Sequence, residues 1–142
     1  MKKKISMICM LLIMVTCFRG VPVLADTHII QSSLTLSEYS AVLTFDSNTN
    51  EITIDYDVSS TSPADSLGVE SIKIYRSNGN YVTTILGTTS NGLIKTSSSM
   101  HVGTYSYTLS TVGSFYAEVK VFARIGTDYD SRTITTSTIT LP

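Results

Sequence analysis

Apolar and polar residues alternate with period two along most of this chain. Ile52, Ile54, Tyr56 and Val58 alternate with Thr53, Asp55, Asp57 and Ser59, the pattern of a strand with one buried face. Residues 41–45 form a second apolar run, and the polar Asp46-Ser-Asn-Thr-Asn50 between the two predicts a hairpin turn. Residues 59–66, Ser-Ser-Thr-Ser-Pro-Ala-Asp-Ser, have the composition of a loop. Alternation resumes from Val69 to Tyr75, with Ile72 and Ile74 on one face. Ser77-Asn-Gly-Asn80 then marks a turn, because Asn and Gly adopt positive φ at little cost. Tyr81 to Leu86 is the returning arm of that hairpin.

Residues 87–100 carry little pattern beyond one short strand expected around Leu93 and Ile94. Tyr105, Tyr107 and Leu109 share a face. Residues 112–114 turn the chain, and 115–125 form the clearest strand, with Phe115, Ala117, Val119, Val121 and Ala123 on its apolar side. A turn over 126–130 precedes a final Thr/Ile-rich strand over 132–141. No 3.6-residue periodicity occurs after residue 25. Short strands separated by turn signals predict an all-β, antiparallel β-sandwich of about seven strands.

The first 25 residues have a different character. Lys2, Lys3 and Lys4 precede an apolar run from Ile5 to Phe18 that is broken only by Ser6 and Thr16, and Val23 and Ala25 form a V-x-A exit. This is the pattern of a secretory signal peptide cleaved after Ala25. The run is short of the about 20 residues of a membrane span. The expected organisation is therefore a signal peptide over 1–25, a lead-in over 26–40 and a β-sandwich domain over 41–142. Cys9 and Cys17, the only cysteines, both lie in the leader. Cys17 raises lipid attachment, but Met14, Val15 and Thr16 before it fit that processing poorly. The mature domain must be held by its core, which its length permits.

Cleavage also changes the charge. Six basic and eleven acidic residues remain, a formal charge of −5. The six basic residues form no cluster in sequence, which argues against nucleic acid or an anionic membrane surface as partner.

From Glu51 to Thr140 the chain resembles a fibronectin type III or related immunoglobulin-like module. The likeness rests on I-x-I-x-Y at 52–56, I-K-I-Y-R-S-N-G at 72–79 and V-K-V-F-A-R-I-G at 119–126. These are similar to the family's B strand, C–C′ hairpin and F strand, and Tyr56 stands where the family usually places a core Trp. Such modules often carry a tyrosine near the start of the F strand. Counting from Gly113 puts Tyr116 there, whereas counting back from Ala123 puts Ala117 there. Either a bulge intervenes or this tyrosine corner is absent. The resemblance implies a sandwich fold and little about function; with the leader it is in keeping with a small exported bacterial protein.

Catalytic chemistry finds little footing. The two histidines, His28 and His101, come with no G-x-S-x-G elbow, and without cysteine they make a poor zinc site. Asp46-Ser-Asn48-Thr-Asn50-Glu51 has alternating oxygen donors, but Glu51 stands where a calcium loop needs Gly. Asp128 and Asp130 read as turn residues. Asp55 and Asp57 share a strand face expected to be solvated, where a catalytic carboxylate pair is not expected. No cofactor, metal or enzymatic activity is expected.

Tyrosine is the more informative residue type. Tyr56 and one or both of Tyr105 and Tyr107 are expected to point inward, and Tyr39, Tyr75, Tyr81, Tyr116 and Tyr129 to be at least partly exposed. Tyr75 and Tyr81 flank one turn and are the candidate binding residues. The expected function is a secreted, extracellular, non-catalytic module with a structural or protein-interaction role, the alternative being a small carbohydrate-binding module that uses exposed tyrosines on a cell-surface glycan. With the leader removed, no stable membrane anchor is expected. The protein recovered after export should begin at Asp26; mass spectrometry of its N-terminal peptide checks this.

Overall fold

The structure, a computed structural model, describes residues 35–49 and 51–142. The expected signal peptide over 1–25 and most of the lead-in lie outside the described residues. The rest is all-β: β1 (Leu36–Asp46), β2 (Glu51–Arg76), β3 (Tyr81–Leu86), β4 (Ile94–Thr108), β5 (Gly113–Ile125), β6 (Asp128–Thr135) and β7 (Ile139–Leu141), all paired antiparallel in one sheet. Among the described residues there is no helix.

Every other strand except β6 and β7 pairs with β2. Its first half lies between β1 and β4: Ile54 faces Leu43 on one side and Tyr105 on the other. Its second half lies between β3 and β5: Ile72 faces Ile85 and Val119. β6 and then β7 extend the sheet along the far side of β5. The sheet is curled, so that the inner faces of both halves contribute to one core. Ile52, Ile54, Tyr56 and Val58 join Leu67, Val69, Ile72, Ile74, Phe115, Ala117, Val119 and Val121 in it. β1 also lies against β5, β6 and β7 without pairing with them.

The curl is made where the sequence reads as a loop. Residues 59–66 belong to β2, contrary to that expectation, but the ladder with β4 skips from Ser59 to Ala64. Pro63, which has no N–H to give, falls inside the skip. The loosened backbone is held by other donors: Ser60 Oγ donates to the carbonyls of Ser62 (2.7 Å) and Ser99 (3.3 Å), and Thr61 N donates to Thr35 O (3.0 Å). β4 turns the same corner with Ser97 at φ 52°, a left-handed conformation that costs a non-glycine residue about 1 kcal/mol. Gly68 completes the bend at φ 140°; a Cβ there would sit 2.2 Å from Leu93 O.

Several boundaries move outward from the sequence reading. β1 starts at Leu36 and not near residue 41, because Leu36 and Tyr39 are core residues; Tyr39, expected at the surface, is 4% exposed. β4 starts at Ile94, since pairing with β2 carries the unpatterned Ser/Thr stretch. The last strand divides into β6 and β7. There the Thr136 Oγ1 accepts the Ala117 N–H (2.9 Å) and the Thr136 N–H binds Ala117 O (2.9 Å), replacing regular pairing for a few residues.

Opposite responses are expected at the two backbone specials of the corner. Gly68→Ala should destabilise the fold by about 3 kcal/mol or more, from steric clash and strain together. Ser97→Gly should be neutral or stabilising by up to about 1 kcal/mol. Urea unfolding of the two variants beside the wild type measures both.

Candidate functional site

The outer face of the β3–β2–β5–β6 half carries the most distinctive side chains. Its geometry follows from two bulges. Between Val69 and Ser71 the β2–β5 register shifts, which makes Glu70 an extra residue on β2. The shift sets Ile72 and Ile74 inward and leaves Lys73 and Tyr75 on the outside. Between β2 and β3 a second shift, at Val82, sets Tyr81 directly opposite Tyr75. On the other flank Tyr75 is opposite Tyr116. Three tyrosines from three strands therefore stand in one row.

Their rings pack on one another. Tyr75 and Tyr116 are nearly parallel, with centroids 5.3 Å apart and 16° between planes. Tyr81 meets Tyr75 edge to face at 6.0 Å and 73°. Such contacts contribute about 0.5–1.5 kcal/mol per pair beyond simple burial. Tyr81 remains 61% exposed, and its hydroxyl donates to Thr84 Oγ1 (3.1 Å). The Tyr75 phenol is held above its ordinary pKa, first by desolvation and then by the Glu118 carboxylate beside it. Lys73, opposite Glu118, completes the polar border.

Tyr75 and Tyr81, picked out in the sequence as neighbours across a turn, are thus brought together. Tyr116 joins them because β5 pairs beside β2, a neighbourhood that the linear pattern does not contain. It also decides the question of the tyrosine corner. β5 keeps an unbroken register with β6, and Phe115, Ala117, Val119, Val121 and Ala123 all face the core. Tyr116 therefore points outward and no tyrosine corner forms at this strand.

Farther along the same face, the bulge at Glu70 aims its carboxylate at β5 and β6. Lys120 Nζ lies 2.6 Å from Glu70 Oε2, and the Tyr129 hydroxyl donates to the same oxygen at 2.8 Å. Tyr129 covers Phe122, with ring centroids 5.9 Å apart, and Arg124 lies over Tyr129 at 5.5 Å. Phe122 is thereby only 6% exposed although it faces away from the core. Desolvation, the largest single influence, pushes the Glu70 carboxyl up, but the hydrogen bonds from Lys120 and Tyr129 and the charges of Lys120 and Arg124 outweigh it and hold the group below its ordinary pKa.

Several of the remaining polar candidates have structural partners, whereas Asp57 Oδ1 is buried with no hydrogen-bond partner among the described residues. The Tyr56 hydroxyl donates to Gly92 O (2.9 Å), and His101 Nε2 lies 2.7 Å from the same oxygen and 3.2 Å from the hydroxyl. A hydrogen on Nε2 suits that carbonyl contact. Tyr56, like Tyr105 and Tyr107, belongs to the interior side, packing into or against the core. Gly103 makes room for its ring, since a Cβ there would lie 2.5 Å from the Tyr56 hydroxyl. Asp46 Oδ1 accepts the Asn48 N–H (2.8 Å) and so closes the β1–β2 turn. Asp55 accepts from Thr104 Oγ1 (2.6 Å), and Asp130 pairs with Arg132. His28 lies outside the described residues. No known protein-family model matches the chain, and neither does any curated protein.

The Glu70 contacts imply a pH dependence. A carboxyl whose folded pKa is depressed contributes stability that is complete above its unfolded value, near 4.5, and fades as pH falls through the lower folded value. Glu70→Gln should therefore be less stable than the wild type at neutral pH, with the gap closing as the pH is lowered past the ordinary carboxylate range. Thermal melts of both proteins between neutral and acid pH follow that gap.

Proposed function

We propose that this chain is a secreted, non-catalytic interaction module that binds a protein partner through the Tyr81–Tyr75–Tyr116 row. The observation that carries this reading is the arrangement of the three rings. Tyr75 and Tyr116 turn their faces toward each other, and Tyr81 stands across them. A sugar platform needs ring faces lying side by side and open to solvent. These rings instead offer edges and hydroxyls around one protruding side chain, bordered by Glu118, Lys73 and Thr84. Exposed tyrosine on a packed base is typical of protein interfaces, where a few aromatic anchors supply most of the affinity. The packing of Tyr75 and Tyr116 also fixes the platform in advance, which lowers the entropic cost of binding.

Export rests on the basic start, apolar run and V-x-A exit of residues 1–25. The curled sheet is read here as an immunoglobulin-like sandwich in which the β1–β2–β4 layer faces the β3–β2–β5–β6 layer. What supports that reading is the single core shared by both halves and the approach of β1 to β5, β6 and β7.

The test is capture of cell-surface and secreted proteins of the producing organism on immobilised protein, beside insoluble polysaccharides including cell-wall glycan. A protein partner held by the wild type and bound at least about tenfold more weakly by Tyr81→Ala is expected. Tyr81 is largely exposed, so this variant should keep the fold, which circular dichroism checks. Retention on a polysaccharide that Tyr81→Ala abolishes would replace the protein reading with the glycan one. Capture of nothing on either support would overturn both.

A further inference from the structure

We propose that β4 is a self-association edge, through which two copies of this chain pair antiparallel about Val102 into one continuous sheet. β4 pairs with β2 along one side and touches no other strand. Met100 shows which backbone groups face the open side. Its N–H donates to Ser98 Oγ (3.3 Å), and its C=O accepts from Ser98 Oγ (2.8 Å) and from Lys95 Nζ (3.5 Å), partners that lie within β4 itself. By the alternation of an antiparallel ladder, the N–H and C=O groups of Val102, Thr104 and Ser106 point the same way. They form a row of unpaired donors and acceptors, the template to which another strand adds.

Exposed edges in stable monomers are normally shielded by charge, proline, bulges or shortness. Among the described residues the other edges follow that rule. β1 carries Glu38 and Asp46 at its ends and, although it exposes Val42 at 47%, lies against β5, β6 and β7; β6 carries Asp128, Asp130 and Arg132. β3 has six residues and β7 three. β4 departs from it over most of its length: its one charged residue, Lys95, stands near its start, and from Thr96 to Thr108 it holds no Lys, Arg, Asp, Glu or Pro. It also exposes two large apolar side chains on one face, Met100 at 54% and Val102 at 61%.

These features favour a second copy as the occupant. A two-fold axis through Val102 sets Val102 against the same residue of the second copy, and Met100 against Thr104. The exposed apolar side chains are then covered by each other, and Ser98 faces Ser106. No acid or base meets its own kind, so the edge is complementary to itself. The edge flanks the first half of β2, whereas the tyrosine row lies at the end of the second half, so this inference is independent of the partner-binding reading.

Sedimentation equilibrium of the exported protein over a range of concentrations tests the proposal. The weight-average mass should rise toward twice that of the monomer. Val102→Lys and Val102→Glu each place like charges across the axis and should weaken self-association roughly a hundredfold. Val102 lies on the surface, so both variants should keep the wild-type far-ultraviolet spectrum and melting temperature at low concentration. An equimolar mixture of the two should regain the dimer mass, because opposite charges then face each other. A wild type that stays monomeric throughout, or variants that associate as tightly as the wild type, would overturn the proposal.

Discussion

The structure depends on the inward–outward alternation of one long strand. β2 serves both halves of the sheet, so its apolar side chains must face the core before and after the corner. They do so only because the phase changes twice. Inward positions are even-numbered from Ile52 through Ser60 and at Ala64, odd at Leu67 and Val69, and even again at Ile72 and Ile74. The first change falls in the corner, and the second is the bulge at Glu70. Without the second, Ile72 and Ile74 would face solvent and Tyr75 would face the core. The same extra residue delivers Glu70 to Lys120 and Tyr129. Core packing and surface chemistry are therefore set together by a single inserted position.

That constraint also separates what could be read from the sequence from what could not. Runs such as 52–58 and 115–123 show their inward faces directly, because one buried side imposes period two. The corner at 59–66 does not, because its Ser, Thr and Pro content has the local signature of a loop, while its ends are paired as strand, Ser59 and Ser60 with β1 and Ala64 and Ser66 with β4. The Ser/Thr stretch at the start of β4 is hidden for the same reason. Tyr39 lies ahead of the apolar run at 41–45 that marks β1 in the sequence, yet it is sealed into the core.

The tyrosine site was half legible. A turn signal between two alternating runs is enough to bring Tyr75 and Tyr81 together. Adding Tyr116 requires knowing that β5 lies beside β2, and sheet order is a property of the whole fold. The two outer faces also differ in kind. The β1–β2–β4 face mixes small polar residues and carboxylates, among them Asp55 tied to Thr104, with the exposed Val42, Met100 and Val102. The β3–β2–β5–β6 face stacks aromatic rings at both ends, around Tyr75 and around Phe122.

The long reach of β2 has a consequence in time as well as in space. Its first half pairs with β1 just upstream, but its second half pairs with β5, as in Leu67 with Ala123. A chain emerging N-terminus first would form the β1–β2 hairpin early and then wait for residues near 120 before the far side of β2 could close. Contacts so distant in sequence make folding slow. Through that interval the apolar run at 67–74 would be uncovered, and no cysteine follows Cys17 to hold a partial structure. Its Ser- and Thr-rich flanks would keep such an unfinished chain soluble.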